Sequence, residues 1–224
     1  MIAVTARSLA EYCQMFALSD DTLASSEFLD CASGASAFGA ELRARGGRVL
    51  SADPLYGAGL DTVREPALRN LDHCEQWLHA HSDVINWDLL GSPTAYRQKG
   101  LRSLALFSAD FSARPDNYLA ASLPNIPLGD GSVDIALCAN LLFAYADTLD
   151  VDFHVSAITE MARIARIELL IHPVSARDGR TPTGFVAAVR QRLSASGLHT
   201  QTLLAPDSWL RDASTMRIRR LDGV

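Results

Sequence analysis

The chain has 224 residues, 48% of them hydrophobic, and a formal net charge of −6 at pH 7. That length and composition support a sizeable buried core, and the acidic balance argues against a protein that grips nucleic-acid backbones, which needs a basic surface. No apolar run reaches the ~18 residues of a membrane span, and the opening MIAVTARSLAEYC lacks the basic and apolar regions of a signal peptide. The four cysteines form no C-x-x-C pair, so a reduced, cytoplasmic and soluble protein is expected, with Cys31 and Cys138 as small buried hydrophobes.

One domain spanning residues 1–224 is predicted, with N-terminal helices within 1–25 and a helical insertion at 54–117. Ser8 and Glu11 have the spacing of a capping box, so a helix is predicted over 8–18. SEFLDCA reads as a strand ending in an acid, and SAFGAELRARGG as a helix stopped by Gly46 and Gly47. RVLSADP is a second strand ending in an acid, Asp53. These pieces form a βαβ unit of roughly 30 residues.

In the long connection that follows, Ala67, Leu71, Cys74 and Leu78 fall at helical spacing after Pro66, which is predicted to open the helix. Ser92-Pro93 opens another, with Leu101, Leu104, Phe107 and Phe111 on one side. NYLAAS reads as a third strand and LPNIPLGDGS as a turn-rich connection. VDIALCANLLFAY is a continuous apolar strand running into a loop, too apolar for a sheet edge. A helix stripe from Val155 to Ala165, the strand RIELLIHPV and a helix from Phe185 to Leu193 follow. LHTQTLLAP and TMRIRRLD finish the chain as strands able to pair antiparallel. The cluster Arg211, Arg217, Arg219 and Arg220 reads as a solvated strand face. The fold class is therefore α/β, a mostly parallel seven-stranded sheet with an antiparallel C-terminal strand.

Open α/β sheets bind ligands beyond the carboxyl ends of their strands. Here the first strand ends in Asp30 and a loop of small residues, Cys31 to Ala37. The second ends in Asp53 and the fourth at Asn140. Small residues let backbone N–H groups approach a ligand. An acid ending the second strand can accept hydrogen bonds from both hydroxyls of a ribose, and an adenosine fits between the two strand ends. An acid directly after the first strand, where a dinucleotide loop carries glycines, suits a cationic group such as the sulfonium and ammonium of S-adenosylmethionine. The histidines and cysteine His73, Cys74, His79 and His81 do not share one helical face, so no metal site is predicted. No Walker loop or nucleophile elbow is present.

FLDCASGASAFGAEL, RVLSADPLYG and YLAASLPNIPLGDGSVDIALCANLLFAYAD together resemble a class I S-adenosylmethionine-dependent methyltransferase, in particular a bacterial subgroup of uncharacterised methyltransferase-domain proteins. The subgroup's motifs correspond to Cys31, Asp53-Pro54-Leu55-Tyr56, Trp87-Asp88 and Ala120 to Pro124, and the resemblance covers about residues 8–222. It implies a Rossmann-like sandwich that binds S-adenosylmethionine. Asp30 and the loop Ala32–Ser33–Gly34, continuing to Ser36, would hold the methionine part. Asp53 with Pro54 would hold the ribose, Ser122 and Leu123 would flank the adenine, and Asn140 and Leu141 would line the pocket beside the methyl group. The chain departs from the family where Ala32 and Ser36 replace glycines and Ser122 replaces an acid.

The implied activity is in-line methyl transfer to a small-molecule or protein acceptor, with no nucleic-acid or membrane partner and no catalytic base assigned. A catalytically silent binding or scaffold protein of the same fold is the alternative. A nicotinamide-dependent oxidoreductase is disfavoured by Asp30, and a nucleic-acid methyltransferase by the charge.

Overall fold

In the computed structural model, residues 2–205 and 207–220 are described; Pro206, Leu221 and Asp222, which the predicted last strands include, lie outside them. The chain enters through a strap, residues 2–7, and then two short helices, α1 (Leu9–Phe16) and α2 (Asp20–Ser25). The Ser8 hydroxyl accepts the Glu11 N–H and the Glu11 carboxylate accepts the Ser8 N–H, so the predicted capping box is present. Ser8→Ala is expected to cost about 1 kcal/mol, read as a lower urea midpoint without loss of helix signal at room temperature.

The first βαβ unit is β1 (Glu27–Cys31), α3 (Phe38–Ala44) and β2 (Arg48–Ala52). Gly46 takes φ +86°, and Gly46 and Gly47 return their N–H groups to the carbonyls of Arg43 and Leu42, which ends the helix as predicted. A 3-10 turn at Pro54–Ala58 then leads into α4 (Leu60–Ala80), α5 (Trp87–Leu90) and α6 (Pro93–Ala113). Here one expectation is corrected. Pro66 does not open α4 but lies inside it, because the apolar face already begins at Val63. The helix forgoes one backbone bond and keeps Val63 and Ala67 fully buried. Ser92 caps α6 as expected.

Strand β3 is only Tyr118–Leu119, shorter than the predicted NYLAAS; the chain turns away from Ala120 onward, and Asn125 N–H closes the turn on the Ser122 carbonyl. Then come β4 (Val133–Ala139), α7 (Val151–Ile164), β5 (Ala165–His172), α8 (Thr183–Ala195), β6 (Leu198–Leu204) and β7 (Ser214–Arg220). The sheet order is β3-β2-β1-β4-β5-β7-β6. β7 runs antiparallel to both β5 and β6, and the remaining neighbours are parallel. The C-terminal arginines do not form the single strand face expected: Arg217 and Arg219 share one face of β7 and pair with Glu168 of β5, Arg220 alternates to the other side and donates to the Ala162 carbonyl, and Arg211 lies before the strand and donates to the Ile85 carbonyl.

The sheet is covered on both faces, and strand parity decides which residue goes where. Leu29, Cys31, Ala136, Cys138, Leu169 and Ile171 pack with α7 and α8. Phe28, Ile135, Leu137 and Leu170 pack with α1 and α3. Asp30 has the parity of Phe28, so it points into the α1 side. A third cluster, with Tyr56, Phe107 and Tyr118 in edge and stacked aromatic contacts, ties α4 and α6 to the edge of the sheet. Arg43 of α3 and Asp110 of α6 form a buried ion pair in the same region.

Candidate functional site

Strand order reverses between β1 and β4, the point where open α/β sheets leave a crevice at their carboxyl ends. A cleft of about 260 Å³ lies there. Of the residues singled out from sequence, Ala32, Gly34, Asp53, Pro54, Ser122, Leu123, Asn140 and Leu141 line it. Asp30 and Ser33 do not.

Asp30 requires a correction. Its carboxylate is fully buried beneath the loop, where it accepts the Tyr12 hydroxyl at 2.9 and 3.1 Å and the Ser33 hydroxyl at 2.7 Å. Burial pushes the carboxyl up to about 7, against the pull of those two hydroxyl donors. Asp30 therefore acts as an anchor between α1 and the loop, and it presents no oxygen to the cleft. Ser33 is turned inward with it.

The loop itself also differs from expectation. Gly34 N–H donates to Asp53 Oδ2 at 3.0 Å, Ala35 N–H to the Thr5 carbonyl and Ala37 N–H to the Arg7 carbonyl. The N–H groups of Gly34, Ala35 and Ala37 are thus taken by Asp53 and the strap, and those of Ser33 and Ser36 by the Ala52 and Ser33 carbonyls. Ala32 nevertheless adopts φ +58°, a left-handed conformation that favours glycine. Gly34, at φ +54°, lies under the strap, where a Cβ would meet Thr5 O and Val4 at 3.3 Å. The departure from glycine at Ala32 leaves the backbone path intact, and Gly34 is kept where the strap crosses.

Asp53 faces the cleft and is 8% exposed. Its Oδ1 accepts the Leu55 N–H and its Oδ2 the Gly34 N–H, both at 3.0 Å. Burial raises its carboxyl above the usual range, opposed by those two donors. Each oxygen keeps acceptor capacity. Across the cleft, Asn140 sits at φ +56°, its backbone N–H held by the His172 carbonyl, and its side-chain Nδ2 is buried without a partner among the described residues. A buried donor left open in this way is a place for a ligand acceptor.

Strap residues Ile2 to Thr5, with Leu149 just before α7 and Phe153 in its first turn, also line the cleft. The sequence reading missed them: the strap has no periodicity, and it acts through backbone carbonyls that any residue carries. Other aromatic and histidine side chains near the strand ends separate into core and cavity. Tyr56 is core, its hydroxyl donated to the Gly34 carbonyl at 2.8 Å. Tyr145 accepts the Ala3 N–H at 2.7 Å and faces a second cavity. Trp87 donates its indole N–H to Ser82 and lines neither cavity. His172 is buried against Thr215 and pushed down to about 3 by that burial, and it lines neither cavity.

The strand order, the single reversed strand β7 and the cleft at the β1–β4 switch point define the architecture. The fold is a Rossmann-like α/β sandwich with one reversed strand. The chain matches no protein-family model. It is 29% identical over 169 residues to an uncharacterised protein of Methanocaldococcus jannaschii, a stretch covering 75% of this chain and 76% of that protein. Among solved structures, magnesium protoporphyrin IX methyltransferase of Synechocystis with bound SAM aligns with a TM-score of 0.48 at 14% identity, over 89% of this chain and 73% of that one. A putative S-adenosyl-L-methionine-dependent methyltransferase of Methanococcus maripaludis gives 0.49 at 13% identity, over 96% and 84%. A SAM-dependent methyltransferase of Aquifex aeolicus gives 0.46 at 15% identity, over 94% and 93%. These are likenesses of shape. No helix of the described residues is long and apolar enough to cross a membrane.

Proposed function

We propose that the protein is an S-adenosylmethionine-dependent methyltransferase acting on a small-molecule acceptor, with residues 1–224 as one domain. The observation that carries this reading is the pairing, at the switch point, of an acid with free acceptor capacity, Asp53, and an open buried donor, Asn140 Nδ2. A nucleoside with a charged side arm needs both. Asp53 would accept from the ribose hydroxyls, Ser122 and Leu123 would border the adenine, and Asn140 and Leu141 would border the reacting end. When bound, the cofactor would supply a methyl group already activated by a positive sulfur, whose carbon an acceptor lone pair can attack in line as the C–S bonding pair leaves with the sulfur of a neutral thioether.

The chain's own contribution is alignment and exclusion of water. Thr5 and Ala3 of the strap close the cleft from above. Neither Asp30 nor His172 reaches it, so no side chain is assigned as a general base. Helices α4 and α6 wall the larger cavity next to the cleft, consistent with an insertion that shapes acceptor entry.

Calorimetry with S-adenosylmethionine, S-adenosylhomocysteine and NAD tests the reading. Saturable binding of both adenosyl compounds without NAD is expected, followed by methyl turnover on a cell-extract acceptor pool. Binding of NAD alone overturns the proposal, and binding of none of the three leaves the silent scaffold.

A further inference from the structure

A second cavity, about 630 Å³, adjoins the cleft. That volume is ample for a drug-sized ligand, since such pockets run about 300–1,000 Å³. Among the described residues, Ala3, Thr5 and Asn140 alone line both spaces, so these residues mark the boundary the two share. The cavity is walled by aromatic rings drawn from distant segments. Trp77 meets Trp209 edge-on at 6.1 Å, and Tyr96 meets Trp209 at 5.8 Å. Tyr145 also lines the cavity, its hydroxyl accepting the N–H of the shared residue Ala3 at 2.7 Å.

Two guanidinium groups already cover ring faces. Arg7 lies 5.2 Å from the Tyr96 centroid and 4.9 Å from that of Trp209, and Arg177 lies 4.8 Å from that of Tyr145. Arg7 is 4% exposed. Its Nη1 pairs with Glu11 at 3.0 Å, but its Nε is buried with no partner among the described residues. The acids at the rim are engaged elsewhere: Asp147 accepts from Arg177, and Asp178 accepts the Arg180 N–H. Flat apolar walls favour a flat ring. Faces occupied by guanidinium disfavour a further cation, and an open buried donor favours an anionic acceptor.

We propose that this cavity is the acceptor pocket and that it takes a planar aromatic acid, the ring lying among Trp77, Trp209 and Tyr145 and the carboxylate directed to Arg7. The assignment of acceptor rests on the methyl donor occupying the neighbouring cleft; the ligand class rests on the cavity alone.

The three tryptophans give three indole N–H signals in a nitrogen-15 spectrum, assignable with Trp77→Phe and Trp209→Phe, and Trp87 serves as an internal control because it lies outside both cavities. The full chain is titrated with 2-naphthoate, 2-naphthylmethanol and 2-naphthylmethylammonium, with and without S-adenosylhomocysteine. The expected result is a saturable shift of the Trp77 and Trp209 signals by 2-naphthoate, an unmoved Trp87, and binding at least tenfold tighter than that of the ammonium compound. Unmoved signals, or an ammonium compound that binds as tightly, overturn the proposal. S-adenosylhomocysteine binding without naphthoate binding sinks this inference and leaves the methyltransferase reading standing. Naphthoate binding to a chain that ignores S-adenosylhomocysteine supports the ligand class and removes the acceptor role.

Discussion

Asp30→Asn is expected to make the protein more stable above pH 7 and to flatten its stability between about pH 4 and pH 7, the interval between the ordinary carboxyl value of 3.8 and the value of about 7 that burial imposes. The sign follows from which state holds the proton. In that interval the folded protein keeps the Asp30 proton while the unfolded chain has released it. Stability therefore falls as pH rises, and the loss is complete once the folded carboxyl has ionised. Such a displacement is worth up to about 4 kcal/mol at pH 8. Asparagine offers the Tyr12 and Ser33 hydroxyls a neutral partner of the same shape and carries no charge to bury. Urea midpoints of both proteins at pH 5 and pH 8 decide the matter: the variant should gain most at pH 8, and parallel curves would show that Asp30 is not the buried acid described. Because Asp30 presents nothing to the cleft, the same variant should bind S-adenosylhomocysteine within about threefold of the wild type, a difference below ~1 kcal/mol.

Asp53→Ala is expected to do the opposite to binding. It removes the only acid lining the cleft among the described residues, and with it the proposed ribose acceptor. It also leaves the N–H groups of Gly34 and Leu55 without their acceptors, so the loop and the turn after β2 both lose an anchor. Affinity for S-adenosylhomocysteine should fall by about 1–3 kcal/mol, roughly fivefold to over a hundredfold. Stability should fall by a similar ~1–3 kcal/mol, because buried donors are stranded. Asp53→Asn keeps one acceptor oxygen and should lie between. Calorimetry on protein whose circular dichroism is unchanged separates the two effects, and an unaltered affinity in folded Asp53→Ala would refute the ribose contact.

The contrast between these two acids shows what was legible beforehand. Both stand at the ends of neighbouring parallel strands, and sequence treated them as partners around one ligand. Asp53 does reach the cleft, because the chain turns directly after it and its side chain lies on the lip. Asp30 does not, because alternation along β1 gives it the parity of Phe28 and aims it at Tyr12 of α1. Alternation was readable in EFLDC; which face α1 would cover was not. Likewise, Pro66 marks a helix start by local chemistry, yet burial of Val63 and Ala67 carries the helix through it.

Local sequence encodes the kinds of element and their order, the two acid-ended strands and the capping box at Ser8. Those features depend on local periodicity, capping and composition, which neighbouring residues encode. Only the tertiary structure shows that the strap crosses Gly34, that the N–H groups of Ser33 to Ala37 are satisfied within the protein, and that Arg7, Trp77, Tyr96, Tyr145 and Trp209 surround one cavity. The strap works through backbone carbonyls common to every residue. The cavity joins residues from opposite ends of the chain, a proximity set by the sheet order and helix packing, which no local pattern specifies.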